Sequence, residues 1–158
     1  MKIAVTGSSG LIGSALVTYL RAMGHDVRRF VRREPKTHEE IFWNPERELI
    51  NVSLLEGLDG VIHLAGVSIA ARRWSPSFKE MIRNSRIGST KLLVETFDKV
   101  SCRPSFFFCA SAIGYYGDRG EEVLTENSSR GNGFLADIVE EWEKTARTAE
   151  EYGIRVVN

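Results

Sequence analysis

Met1-Lys2-Ile3-Ala4-Val5-Thr6-Gly7-Ser8-Ser9-Gly10-Leu11-Ile12-Gly13 is the stretch that decides the fold. Its first six residues are an apolar run without a breaker, which predicts a short buried strand. Gly7, Gly10 and Gly13 then space out a loop, and an apolar helical stripe begins at once. Strand, glycine loop and helix in that order suit a diphosphate. Loop amides point outward, the helix N-terminus carries partial positive charge, and glycine lets the backbone come close. The spacing G-x-x-G-x-x-G departs by one residue from the G-x-G-x-x-G fingerprint, but it stands in the setting that fingerprint requires.

Moving outward, Ile12, Ala15, Leu16, Tyr19, Leu20 and Met23 recur at helical spacing and are expected to pack on a sheet. Gly24 is the expected left-handed stop, and Asp26 to Val31 reads as a second strand. That strand ends in Val31-Arg32-Arg33-Glu34. About 20 positions past the glycines, an acidic residue holds the ribose hydroxyls in NAD binders, whereas arginine accommodates the 2′-phosphate of NADP. With Arg32 and Arg33 at this place, the expected cofactor is NADP(H), with NAD(H) second; the plain alternative is a solvated basic pair.

Residues 34–52 read as irregular, broken by Pro35 and Pro45, with a weak strand near Ile41-Phe42-Trp43 and a helical turn over 53–57. Asp59-Gly60-Val61-Ile62-His63-Leu64-Ala65-Gly66 is turn, buried strand and small-residue loop. Ala65 and Gly66 would let a cofactor lie against the backbone where open α/β sheets bind ligands. His63 reads as a packed core histidine. Ser75-Pro76 opens a helix, and Phe78, Met81, Ile82, Ser85, Ser89, Leu92, Leu93 and Thr96 give one long helical face. Arg72 and Arg73 precede it, as a solvated pair or as contacts for an anion. Ser105 to Ala110 is an apolar strand, Ser111-Ala112-Ile113-Gly114-Tyr115-Tyr116-Gly117-Asp118 a loop at its carboxyl end, and a helix runs from about Gly133 to Tyr152. Ile154 to Asn158 opens another strand. The alternation predicts an α/β, doubly wound parallel sheet of order 3-2-1-4-5-6, with its mouth between the first and fourth strands.

The chain has 158 residues, enough for one domain with one core. Lys plus Arg and Asp plus Glu are 21 each, so no net field draws nucleic acid or an anionic membrane. No apolar run has the length of a membrane span. Cys102 and Cys109 have neither metal-ligand nor disulfide-framework spacing, and the three histidines form no metal cluster. These features together point to a cytoplasmic protein.

Taken together, Thr6-Gly7-x-x-Gly10-x-x-Gly13, Asp59-x-Val61-Ile62-His63-Leu64-Ala65-Gly66, and Ser111 with Tyr116-Gly117 resemble the extended short-chain dehydrogenase/reductase superfamily. Arg73-Trp74, Ser85-Arg86-x-x-Ser89-Thr90, the Ser111–Gly117 string and Trp142-Glu143 are similar to its NAD-dependent epimerase/dehydratase-like branch. Members of that branch are called sugar-nucleotide-epimerase-like or cell-division-inhibitor-like. The resemblance implies a Rossmann-type domain over 1–158 and cofactor contacts from Gly7, Ser9, Gly10, Leu11, Ile12, Arg32, Arg33, Leu64, Ala65 and Gly66. It also implies a small-molecule substrate and a homodimer through the helices near 76–99 and 134–151.

Two departures stand against it. The superfamily's catalytic Tyr-x-x-x-Lys pair is absent, and its expected place holds Phe134 and Ile138, which neither donate a proton nor stabilise a phenolate. Members also run on into a C-terminal substrate domain, so the chain is expected to be the N-terminal portion of a longer one. Two functions stay open. One is an NADP(H)-dependent reductase or epimerase-like enzyme in which Ser111, Tyr115 and Tyr116 act, with a cation such as Arg119 beside the phenol. The other is a non-catalytic dinucleotide-binding or sensing module.

Overall fold

The computed structural model describes every residue from Met1 to Asn158. The opening run is β1 (Lys2–Thr6), followed by α1 (Leu11–Ala22) and β2 (Asp26–Val31). Next come β3 (Glu40–Asn44), β4 (Leu49–Ile50) and β5 (Gly60–His63), then α2 (Pro76–Asn84), α3 (Ile87–Phe97), β6 (Phe106–Cys109), α4 (Phe134–Arg147) and β7 (Arg155–Val157). The strands form one sheet in the order β4-β3-β2-β1-β5-β6-β7.

Without β4, the order is the expected 3-2-1-4-5-6, and every pairing among those six strands is parallel. The sheet corrects the expectation at its edge, where β4 folds back antiparallel on β3 with Trp43 opposite Ile50. A turn of 3₁₀ helix at Pro45–Arg47, capped by the Asn44 side chain and ending on Glu48 in a left-handed conformation, makes that reversal. The weak strand at Ile41-Phe42-Trp43 is thus held from both neighbours, Ile41 and Phe42 pairing with β2 and Trp43 with β4.

β1 is central, and its alternation divides the core. Ile3 and Val5 face α1 and pack with Val17, Val27 and Ile62. Ala4 faces the other way into the larger core with Phe30, Trp43, Leu93, Phe97, Phe107 and Trp142. Burial of this kind is the main favourable contribution to folding.

Two helix expectations are corrected. The sheet-facing line of α1 is Gly13, Leu16, Val17 and Leu20, while Ile12, Tyr19 and Met23 of the expected stripe are 69%, 62% and 61% exposed. The helix carries two neighbouring apolar lines, and the contact of Gly13 with the preceding loop selects the one turned inward. The long face over 76–99 is two helices. They break at Ser85–Arg86, where the Arg86 side chain turns back to donate to the carbonyls of Val67 at 3.1 Å and Ile82 at 3.3 Å. The last helix forms where expected, with Ile138, Trp142, Ala146 and Ala149 buried, and tightens to 3₁₀ over Thr148–Tyr152. No helix is long and apolar enough to cross a membrane.

Candidate functional site

The carboxyl ends of β1 and β5 meet at the glycine loop. Gly7 has φ +65°, and a Cβ there would lie 2.7 Å from the Leu64 carbonyl and 2.9 Å from the Ala65 amide nitrogen. Only glycine fits both the backbone angle and the space. The Gly10 amide donates to Gly7 O at 2.9 Å, and a Cβ on Gly13 would stand 2.1 Å from that same oxygen. The first glycine therefore seats the loop on β5, and the third lets α1 close onto the loop.

At the tip of α1, Gly10 is the N-cap, no side chain caps the helix, and its first turn carries no acidic residue. The amides of the first turn are thus left for a ligand, and the helix end favours an anion. Ser9, Leu11 and Ile12 are exposed around it, Leu11 at 91%. A Cβ at Gly7 or Gly13 would force the loop off β5 or α1 off the loop, and the cradle these glycines close fits a dinucleotide diphosphate.

Thr6, fully buried, holds the two halves of the cradle together. Its Oγ1 accepts from the amides of Leu64 and Ala65, both at 3.1 Å, and lies 2.7 Å from His63 Nδ1. His63 Nε2 reaches Ser89 Oγ on α3 at 3.1 Å. Burial pushes the His63 pKa down from 6.5 to about 3, so the ring is neutral, packed between Trp43 and Phe107. Gly66 is exposed just beyond, with the Arg86 guanidinium at 3.4 Å from where its Cβ would be. Arg86 has no carboxylate partner; it lies over the Trp142 ring at 5.5 Å, and burial lowers its pKa.

After β2 the two arginines part company. Arg32 is exposed and makes no ion pair, whereas Arg33 is forked onto the buried Glu40 carboxylate at 2.6 and 2.8 Å.

Beyond β6, the Ser111 hydroxyl donates to Glu143 of α4. Tyr115 and Tyr116 form a 3₁₀ turn with their rings perpendicular at 5.4 Å. Gly131 pins that turn: its amide donates to Tyr115 O at 3.0 Å, and a Cβ on it would meet Tyr116 O at 2.0 Å. Arg119 is bound to Glu122 by two hydrogen bonds of 2.8 Å and to Ser129 O at 3.2 Å, so its charge is already matched within its own loop. Phe134 opens α4 under Trp74 (5.5 Å between rings), with Lys79 Nζ 5.1 Å from its ring centre. No three His, Cys, Asp or Glu side chains gather as a metal site.

The sequence pattern of the NAD dependent epimerase/dehydratase family matches residues 3–157. The chain belongs to that family. Among curated family members it is similar to an epimerase family protein of Mycobacterium bovis, 46% identical over 155 residues, covering 98% of this chain and 51% of the relative. Another is a chloroplastic epimerase family protein of Arabidopsis thaliana, 36% identical over 162 residues, covering 96% of this chain and 46% of that protein. Among solved structures, the nucleoside-diphosphate sugar epimerase of Corynebacterium glutamicum superposes with a TM-score of 0.83 at 40% identity, covering 99% of this chain and 32% of that one. The human epimerase family protein SDR39U1, solved with NADPH, superposes with a TM-score of 0.81 at 30% identity, covering 93% and 49%. The chain spans about half the length of the curated relatives it matches.

Within this epimerase/dehydratase-family domain, the glycine loop, Leu64, Ala65 and Gly66 come together as read from the sequence. Arg33 is tied to Glu40, and Ser111 and the tyrosine turn follow the end of the next strand over. The residues that sequence reading missed are Thr6, Ser89, Arg86, Glu40 and Glu143, each defined by a partner distant in sequence. Thr6, Arg86, Ser89 and Glu143 stand in the sequence inside the strings that carry the family resemblance, with no role attached to them there.

Proposed function

We propose that the chain is the NADP(H)-binding domain of an epimerase- or reductase-like enzyme acting on a small carbonyl or sugar-nucleotide-like substrate. The observation that carries this reading is the uncapped, acid-free helix tip closed onto a loop whose first and third positions admit glycine alone. Bound there, a nicotinamide dinucleotide supplies hydride exchange. The chain's own residues hold the pyrophosphate with the amides of Ser9, Leu11 and Ile12, Gly10 shaping the loop between them, and line the dinucleotide with Leu64, Ala65 and Gly66. Arg32, without a protein partner, supplies charge for a 2′-phosphate, and the NADPH of the human relative supports the same choice.

Ser111, Tyr115 and Tyr116 are the proposed groups at the reacting carbonyl, a tyrosine hydroxyl donating the proton and Ser111 orienting the oxygen. The surface that selects the substrate is assigned to the further chain that the relatives possess. A homodimer through α2–α3 and α4 is proposed alongside, and sedimentation of Met81→Lys tests it, Met81 being 44% exposed on that surface. Phe134 and Ile138 at the places of the Tyr-x-x-x-Lys pair favour a second reading, a dinucleotide-binding module without turnover.

Fluorescence titration of Arg32→Asp with NADPH and NADH tests the cofactor. A much larger loss of NADPH than of NADH affinity is expected; equal losses remove the NADP assignment.

A further inference from the structure

Glu40 opens β3 beside Arg29, and only 3% of it is exposed. Its Oε1 accepts from Arg29 Nη2 at 2.7 Å and from Arg33 Nη2 at 2.6 Å. Its Oε2 accepts from Arg33 Nη1 at 2.8 Å and from the Lys36 amide at 2.7 Å. Burying a carboxylate is unfavourable unless its lone pairs are filled, and these donors fill them. The hydrogen bonds from Arg33 and the Lys36 amide hold its carboxyl at about 2, so it stays ionised across the working pH range.

Arg33 Nη1 also donates to Glu34 O at 2.8 Å. Three of the five guanidinium N–H groups are then used, which leaves Nε and one hydrogen of Nη2 for a ligand. Glu40 thus fixes the turn between β2 and β3 from its far end, through one side chain and one backbone amide. Two guanidinium groups, those of Arg29 and Arg33, meet this single buried carboxylate, and Arg32 stands exposed without an ion pair, so the turn keeps positive charge.

We propose that Glu40 is a positioning residue for a 2′-phosphorylated adenosine, fixing Arg33 and the turn that carries Arg32 so that a phosphomonoester on the ribose meets arginines already in place. It rests on the dinucleotide reading above. A guanidinium fork recognises phosphate by geometry as well as charge, and immobilising it beforehand removes an ordering cost from binding.

The test is calorimetric titration of the chain with adenosine 2′,5′-bisphosphate and with 5′-AMP, which differ only in the 2′-phosphate. The wild type is expected to prefer the bisphosphate by at least about tenfold, as for one charge-assisted contact. Glu40→Gln is expected to abolish most of that preference while 5′-AMP affinity stays unchanged, and Glu40→Asp to restore part of it. Arg33→Lys keeps the charge without the fork and is expected to lose the preference in a chain whose Glu40 is still paired with Arg29. No preference in the wild type overturns the NADP reading and this inference with it. A wild-type preference that survives in both Glu40→Gln and Arg33→Lys overturns this inference alone, as does an equal loss of both ligands in Glu40→Gln.

Discussion

Thr6 Oγ1 lies 2.7 Å from His63 Nδ1, and this contact fixes the protonation of a chain that crosses the sheet. Thr6 Oγ1 already accepts from the Leu64 and Ala65 amides, so its proton goes to Nδ1. His63 then carries its hydrogen on Nε2 and donates it to Ser89 Oγ, whose own proton goes to Ser85 O at 2.7 Å. A core histidine thereby becomes the link between the cofactor loop and α3.

Thr6→Val keeps the shape and removes the hydroxyl. Two amides and Nδ1 lose their partner, so urea unfolding should show a loss of about 2–3 kcal/mol, with weaker NADPH binding. Thr6→Ser should behave much like the wild type. A neutral Thr6→Val would mean that the amides find other acceptors.

His63 makes stability depend on acid. Its pKa falls from 6.5 to about 3 in the fold, because burial disfavours the charged ring. The unfolded chain therefore takes up a proton as pH drops below 6.5 while the native one does not. Stability contributed by the neutral ring is complete above that pH, and is lost downward by up to about tenfold in the folding constant per pH unit. Urea midpoints at pH 7.5 and 5 should differ, and His63→Asn should shrink the difference. An unchanged difference in that variant would contradict the assignment.

Gly13→Ala places a methyl 2.1 Å from a backbone oxygen, where no side chain can yield. The helix must back away from the loop, at a cost of about 1–3 kcal/mol and with at least a tenfold loss of NADPH affinity. Gly88→Ala, where a Cβ meets nothing within 4 Å, is the control and should bind as before. Fluorescence titration of both reads the result.

The tyrosine turn separates the enzyme from the binder. If Tyr116 or Tyr115 donates the proton, replacing that one by phenylalanine in a full-length protein of the relatives' extent should lower NADPH oxidation with small carbonyls by about 10²-fold or more, with NADPH affinity unchanged. Rates unchanged from the wild type in both variants assign the turn to packing.

The strand, glycine loop and helix were legible because their periodicity and glycines are local, and the parallel order followed from alternation. Other features depend on contacts between distant residues. Which apolar line of α1 faces the sheet is set by Gly13 against Gly7. The break at Ser85–Arg86 is set by a guanidinium reaching Val67. The division of labour between Arg32 and Arg33 is set by Glu40, a residue that reads from the sequence as one more charge in an irregular stretch.

The central claim is that the amides at the tip of α1 hold a dinucleotide, which lies against the backbone at the end of β5. Amide chemical shifts followed by NMR during titration with NADPH test it most directly. Saturable shifts should centre on Ser9, Gly10, Leu11, Ile12, Leu64 and Ala65, with Arg32 following for NADPH and not for NADH. Saturation with those amides unmoved, or shifts centred on another face, would contradict the account.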